Sequence, residues 1–236
     1  MVSVVVPTLN MAPFIWATIQ SILTQTYQDF EILISDDGST DNSLAIAASF
    51  NDPRIWLLPN DHTGVAGALN RGIRASRGEY IALLAADDLL TPDSVAIRLA
   101  AMPGVDVVCG QARTLYEYET IEQSQPIHGH RNFYGPTNLL RKSVFERYGL
   151  FDEDLPYKQD REFWVRLFGE DRTRTDRARF RTLPDVVAYF RLRRESLQHT
   201  YRLLWTCDQK ATTNAMVAAA ILARTDNVGP HNTPWL

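Results

Sequence analysis

Cysteine is scarce in this sequence, with only Cys109 and Cys207 among 236 residues. The two stand far apart and form no C-x-x-C pair, so no disulfide framework is expected, and both thiols read as core residues of a cytoplasmic protein. The five histidines show no zinc spacing beyond a single H-x-H at 128–130. Positive charge is not in excess either. Lys and Arg number 24 against 28 Asp and Glu, a net charge of −4, which argues against a nucleic-acid partner because such domains carry a basic surplus. Long apolar runs are missing. "AMVAAAILA" at 215–223 is about half the ~18 residues that a spanning helix needs. It follows polar Gln209, Lys210, Thr212 and Thr213, so it reads as one face of a soluble helix. The opening "MVSVVVPTLN" has no charged leader of the kind a secretory signal carries. The stretch "PTLNMAPF" contains no glycine, which argues against a glycine-rich phosphate loop after the first strand.

What is present is alternation. Short aliphatic or β-branched runs at Val2–Val6, Ile32–Ile34, Ile55–Leu58, Tyr80–Leu84 and Val105–Val108 are separated by stretches with helical spacing. In "PFIWATIQSILTQ", Ile15, Ile19, Ile22 and Leu23 share one face. "TDNSLAIAASF" opens on capping Asp41 and Ser43. "GVAGALNRGIRASRG" closes at Gly78, and "TPDSVAIRLAAM" at Pro103-Gly104. Strand–helix alternation with near-continuous apolar strands predicts an α/β fold: a mostly parallel central sheet flanked by helices. After residue 110 the texture becomes polar and less periodic. It predicts a strand and exposed loop in 113–133, a helix ending at Gly149, a helix in "DREFWVRLFGED" and strands around Pro184. A helix over 201–223 and a loose tail from Thr225 to Leu236 follow. Residues 1–110 and 111–200 are expected to be halves of one domain, with 201–236 as a C-terminal helix and tail.

In such a sheet, ligands sit beyond the carboxyl ends of the strands. The first of these ends is Pro7-Thr8-Leu9-Asn10, the second Asp36-Asp37-Gly38 and the fourth Asp87-Asp88. Each acidic pair alone can be a turn followed by a helix cap. Both pairs on neighbouring strand ends point instead to a site, because carboxylates meeting at one point make an oxygen-only site for a hard divalent cation such as Mg²⁺ or Mn²⁺. A cation held by one or two carboxylates completes its shell with water and phosphate oxygens.

Four segments, in this order and spacing, carry a resemblance: "VSVVVPTLN", "SILTQTYQDFEILISDDGSTD", "GVAGALNRGIRASRGEYIALLAADDLLTPD" and "GLFDEDLPYKQDREFWVRL". Together they resemble the inverting family-2 glycosyltransferases and their GT-A, Rossmann-like fold with a C-terminal acceptor-side region, over roughly residues 2–197. The resemblance implies a sugar-transferring enzyme of polysaccharide or glycolipid synthesis, with a UDP-, dTDP- or GDP-sugar donor and a saccharide or lipid-linked acceptor. It implies a cytoplasmic protein and leaves room for peripheral contact with the inner face of a membrane. By motif, Pro7 and Thr8 would lie against the nucleotide, and Asp37, with Asp36 beside it, would hold the base or ribose. Asp88 would bind the cation, and Asp87 would face the ribose or share the metal. Asp160 would be the catalytic base, its structural alternative being a cap on the helix that follows. A non-catalytic nucleotide-sugar or glycan-binding module is the other reading, motivated by one departure: Ala85-Ala86-Asp87-Asp88 lacks an acidic group that many relatives carry. Gln159 stands where Glu commonly precedes the base, and Leu69 where some relatives have an arginine. Arg193 stands where many have a histidine; it cannot ligate a metal but can clamp a phosphate. Trp164 and Tyr134 are candidates to stack on an acceptor sugar, Trp164 equally a core residue. The arginine-rich "RTRTDRARFRT" reads as a solvated surface paired internally with Asp171, Asp176 and Asp185.

Overall fold

The computed structural model describes residues 1–116, 119–126, 135–155, 159–168 and 177–193. Their strands form one sheet: β1 (Val2–Thr8), β2 (Phe30–Asp36), β3 (Ile55–Leu58), β4 (Tyr80–Leu83), β5 (Leu89–Leu90), β6 (Val107–Tyr116), β7 (Gln125–Pro126), β8 (Asn138–Arg141) and β9 (Phe180–Leu192). The order across it is β3-β2-β1-β4-β8-β6-β9-β5, with β7 on β6. The helices are α1 (Ile15–Leu23), α2 (Ser43–Ser49), α3 (Gly64–Ala75), α4 (Ser94–Ala100), α5 (Ser143–Tyr148) and α6 (Gln159–Phe168). The quartet β3-β2-β1-β4 is parallel throughout. Beyond it, β8 runs antiparallel to β4 and β6, while β9 lies parallel to β6.

The strands read as unbroken apolar runs because helices cover both faces. Val2, Val4 and Val6 face one core with Ile15, Ile19 and Ile22 of α1 and Ala47 of α2. Val5 faces the other with Ala66, Leu69 and Ile73 of α3. Each buried valine, leucine or isoleucine here contributes about 1.5–3 kcal/mol on burial. At Gly72 an added Cβ would stand 2.3 Å from Val5 Cγ1, so the absence of a side chain there lets α3 lie close on β1. Glu31 is an exception within β2. Only 2% exposed, it accepts hydrogen bonds from Ser3 Oγ at 2.6 Å, Arg77 N–H at 2.6 Å and Arg77 Nε at 2.8 Å. Burial pushes its carboxyl up, and these bonds outweigh burial to hold it below the ordinary value. Glu31 therefore belongs to the sheet's own structure.

The second half differs in detail from the pattern read in the sequence. β6 runs straight through residue 110, so the polar half continues the same sheet. The strands expected around Pro184 are one strand, β9. Its register against β6 jumps from Cys109↔Thr182 to Gln111↔Val186, and Pro184, which has no N–H to donate, falls within that irregular stretch. Trp164 is a core residue, 7% exposed, stacked on Phe168 and edge-on to Phe163. Cys109 is buried and free, its thiol pushed up to about 12 by burial. Of the described members of the arginine-rich stretch, Arg179 pairs with Asp106 at 3.3 Å, and Arg181 donates to Ala101 O at 2.7 Å. The expected 201–223 helix, the tail, Cys207, His128, His130, Tyr134, Asp171, Asp176, His199 and His231 lie outside the described residues. Among the described residues no helix is long and apolar enough to cross a membrane.

Candidate functional site

The two acidic pairs emerge on either side of β1, whose Thr8 lies opposite Asp36 in the β1–β2 register. They are not on adjacent strands, since β1 separates β2 from β4. Like charges at Asp36-Asp37 coexist because each carboxylate has its own set of donors. Asp36 Oδ2 accepts from the backbone N–H groups of Gly38 and Ser39 at 3.1 and 3.0 Å, and Gly38 takes the left-handed φ of +87° that this turn requires. Asp36 Oδ1 is buried and has no partner. Asp37 turns the other way. Its Oδ1 accepts from Thr63 N at 2.7 Å and Thr63 Oγ1 at 3.0 Å, and its Oδ2 accepts from Gly64 N at 3.0 Å. His62 Nδ1 lies 2.9 Å from the same Oδ2. Asp37 thus caps the N-terminus of α3, where the helix's orphan N–H groups and its dipole favour negative charge. Its own N–H donates to Thr8 O at 2.8 Å. Asp36 Oδ1 is thus the oxygen of this pair without a partner, while both oxygens of Asp37, the residue expected to hold the base or ribose, are engaged at the start of α3. Asp37→Ala, which orphans the first amides of α3, should lower unfolding free energy by about 1–3 kcal/mol in urea titration. A loss no larger than that of an exposed alanine substitution would remove the capping role.

Asn10, which sequence reading passed over, organises this edge. At φ +53°, its Oδ1 accepts from Thr40 N at 2.9 Å and Asp41 N at 3.3 Å. Its own N–H donates to Ser39 Oγ at 2.9 Å, so the loops after β1 and β2 are tied together. An asparagine two residues past a strand end was a readable signal, because Asn tolerates the left-handed region better than most residues. Pro7 and Thr8 form the strand end beneath these loops. Leu69 is core, and the arginine that reaches this edge is Arg71, donating to Asp36 O at 2.8 Å and Thr63 Oγ1 at 3.1 Å.

The second pair is held by β9. Antiparallel pairing of β5 with β9, Leu89 to Tyr189 and Leu90 to Ala188, carries Arg191 and Arg193 past Asp88 and Asp87. Arg191 N donates to Asp88 Oδ1 at 2.8 Å and Arg191 Nε to Asp87 O at 3.0 Å. Arg193 Nε meets Asp87 Oδ2 at 2.6 Å. Both guanidinium groups lie over the Phe14 ring, 5.4 and 5.3 Å from its centroid. Thr18 Oγ1 on α1 donates to the carbonyls of Ala86 and Asp88, each at 2.9 Å, fixing the turn from below. Asp88 Oδ2 is buried without a partner. Burial first, and Asp87 second, push the Asp88 carboxyl well above the usual carboxylate range.

These residues fit a hard cation in chemistry and in one free oxygen, Asp88 Oδ2. The idea that both acidic pairs share it does not hold. Among the described residues no three His, Cys, Asp or Glu come together as a metal group. Asp160 forms no metal group with either acidic pair. It stands exposed in the first turn of α6, its Oδ1 accepting from Arg161 N–H at 2.8 Å.

A parallel quartet with acidic tips at its carboxyl edge, continued by mixed strands, is the GT-A architecture. Staphylococcus aureus TarS 1–349 in complex with UDP-GlcNAc matches it with a TM-score of 0.72, covering 94% of this chain and 66% of that one at 20% identity. The mannosyltransferase PcManGT from Pyrobaculum calidifontis, in complex with GDP-Man and Mn²⁺, gives 0.62, covering 98% and 76% at 22% identity. At these identities the likeness establishes the fold. The family model for glycosyl transferase family 2 matches residues 3–201, and the chain belongs to that family. Its relatives include EpsJ of Bacillus subtilis, an uncharacterised glycosyltransferase, 34% identical over 195 residues, which are 72% of this chain and 56% of EpsJ. The chain spans a little over half the length of EpsJ and of two Rickettsia relatives, and under a third of other Rickettsia relatives that it aligns with just as fully.

Proposed function

We propose that this chain transfers a glycosyl group from a nucleoside diphosphate sugar to an acceptor hydroxyl in one inverting displacement. The observation that supports it most is the buried, unpartnered Asp88 Oδ2 at the carboxyl edge of the parallel strands. Asp36 Oδ1, also buried and unpartnered, accepts an N–H of the base or an O–H of the ribose, over a floor made by Pro7 and Thr8. Arg193, bound to Asp87 through Nε, turns its terminal nitrogens to the diphosphate. Asp88, with Asp87 beside it, would hold Mg²⁺ or Mn²⁺, which as a Lewis acid would offset the charge that builds on the leaving diphosphate. Asp160 takes the proton from the attacking hydroxyl. A single displacement needs no nucleophilic carboxylate, in contrast to retaining glycosidases, and it inverts the anomeric centre. The acceptor is a saccharide or lipid-linked saccharide at the cytoplasmic side of a membrane, with peripheral contact between chain and bilayer.

A thermal-shift panel of UDP, dTDP, GDP and CMP, each with and without Mn²⁺, tests this reading. A ligand at a hundred times its dissociation constant adds about 2.7 kcal/mol, a shift of roughly 5–10 °C for a chain of this size. One nucleoside diphosphate is expected to give that shift and to give more of it with Mn²⁺. If none does, the reading falls. Binding with no turnover of any matching sugar nucleotide would favour the non-catalytic module.

A further inference from the structure

Within the acidic motif the two carboxylates are unequal. Asp87 already has a cation. Arg193 meets it at 2.6 Å, with side chains 14% and 11% exposed, so neither salt nor water screens the pair as they would a surface bridge. The guanidinium is fixed on its other side by the Phe14 ring, and Arg191 ties the Asp87 carbonyl to β9. Asp88 keeps Oδ2 without a partner, while its Oδ1 takes only a neutral backbone N–H. A divalent ion approaching Asp87 would have to break a charge-assisted hydrogen bond and come to rest beside a guanidinium of the same sign. An ion at Asp88 Oδ2, an oxygen that is buried and also feels the Arg191 and Arg193 charges, would have no charge-assisted hydrogen bond to break.

We infer that Arg193 serves as a resident counter-cation for Asp87, closing that carboxylate to metal and leaving Asp88 as the sole ligand the acidic motif offers. The inference rests on the proposed sugar-nucleotide site and deepens it. One carboxylate oxygen holds a hard divalent ion weakly, because such ions seek six or more oxygens and keep water where the protein supplies few. The further oxygens come from water until a diphosphate brings its own. Metal and nucleotide therefore load together in this chain, and Arg193 carries part of the charge neutralisation that a second metal-binding carboxylate would otherwise give to the cation.

The test is Mn²⁺ affinity of the full chain without nucleotide, read from the free-ion electron paramagnetic resonance signal. Arg193→Ala and Arg193→Gln should each bind Mn²⁺ at least tenfold tighter than the parent, because Asp87 becomes available. Adding Asp87→Asn to either variant should cancel the gain. The circular dichroism melt of each variant identifies any that misfolds, and the other then decides. Unchanged or weaker Mn²⁺ binding in the folded arginine variant would overturn the inference, as would a gain that survives Asp87→Asn. Nucleotide shifts recorded in EDTA on the same samples judge the sugar-nucleotide reading separately, since they do not depend on which carboxylate the ion prefers.

Discussion

Asp160→Asn is expected to lower turnover by about 10²–10⁴-fold, the usual worth of a positioned general base, while nucleotide affinity stays within twofold. The amide has nearly the same shape but accepts no proton from an attacking hydroxyl. The position also allows a clean separation from the structural alternative. Asp160 lies in the first turn of α6, which starts at Gln159, and accepts the Arg161 N–H; asparagine keeps an oxygen for that N–H. The melting temperature should therefore hold. A fall in turnover at constant stability and constant nucleotide affinity identifies a base. Stability lost with turnover intact would identify a cap. Reading nucleotide affinity alongside turnover separates proton transfer from the hold on the diphosphate. Substrate turnover with a matched sugar nucleotide, alongside a nucleotide titration, supplies all three readings.

The parallel quartet was legible because its strands are buried on both faces, which leaves Val2–Val6 and Ile32–Ile34 as unbroken aliphatic runs with no competing interpretation. Helix α3 was legible from its apolar spacing, though it ends at Ala75, ahead of Gly78, where Ser76 Oγ donates to Ile73 O at 2.6 Å. The division of labour between Asp36 and Asp37 was not legible. Successive residues on a strand point to opposite sides, and which side met the start of α3 depended on a helix 27 residues further on. Strand order was hidden for a similar reason, since nothing local says that β1 enters between β2 and β4. The partners of Asp87 and Asp88 lie more than a hundred residues away, at Arg191 and Arg193. Only the β5–β9 register brings them in. Arg193 was picked out as a candidate phosphate ligand because its neighbourhood resembles the family. Its pairing with Asp87 is a property of the fold.

Asp88→Asn should do two opposite things: stabilise the protein without ligand and abolish the part of nucleotide binding that depends on Mn²⁺. Asp88 is 1% exposed, its Oδ2 has no donor, and Asp87 stands next to it. A buried carboxylate with one unsatisfied oxygen costs the desolvation of that oxygen, about 1–3 kcal/mol or more for a charged group. Asparagine removes the charge and retains an oxygen to accept the Arg191 N–H. Unfolding of the variant without metal is thus expected to shift upward by a few degrees, on the order of 2–4 °C per kcal/mol for a chain of this size. The same variant should show the nucleotide shift that the parent shows in EDTA, whether or not Mn²⁺ is added. Residues kept at a cost to stability are those whose ligand offsets the cost, and the two measurements together test that relation at one atom. A variant less stable than the parent by more than about 1 kcal/mol, a loss larger than most neutral surface changes give, would mean that the chain itself holds the Asp88 carboxylate as a structural acceptor. The cation would then have no oxygen in the acidic motif to bind.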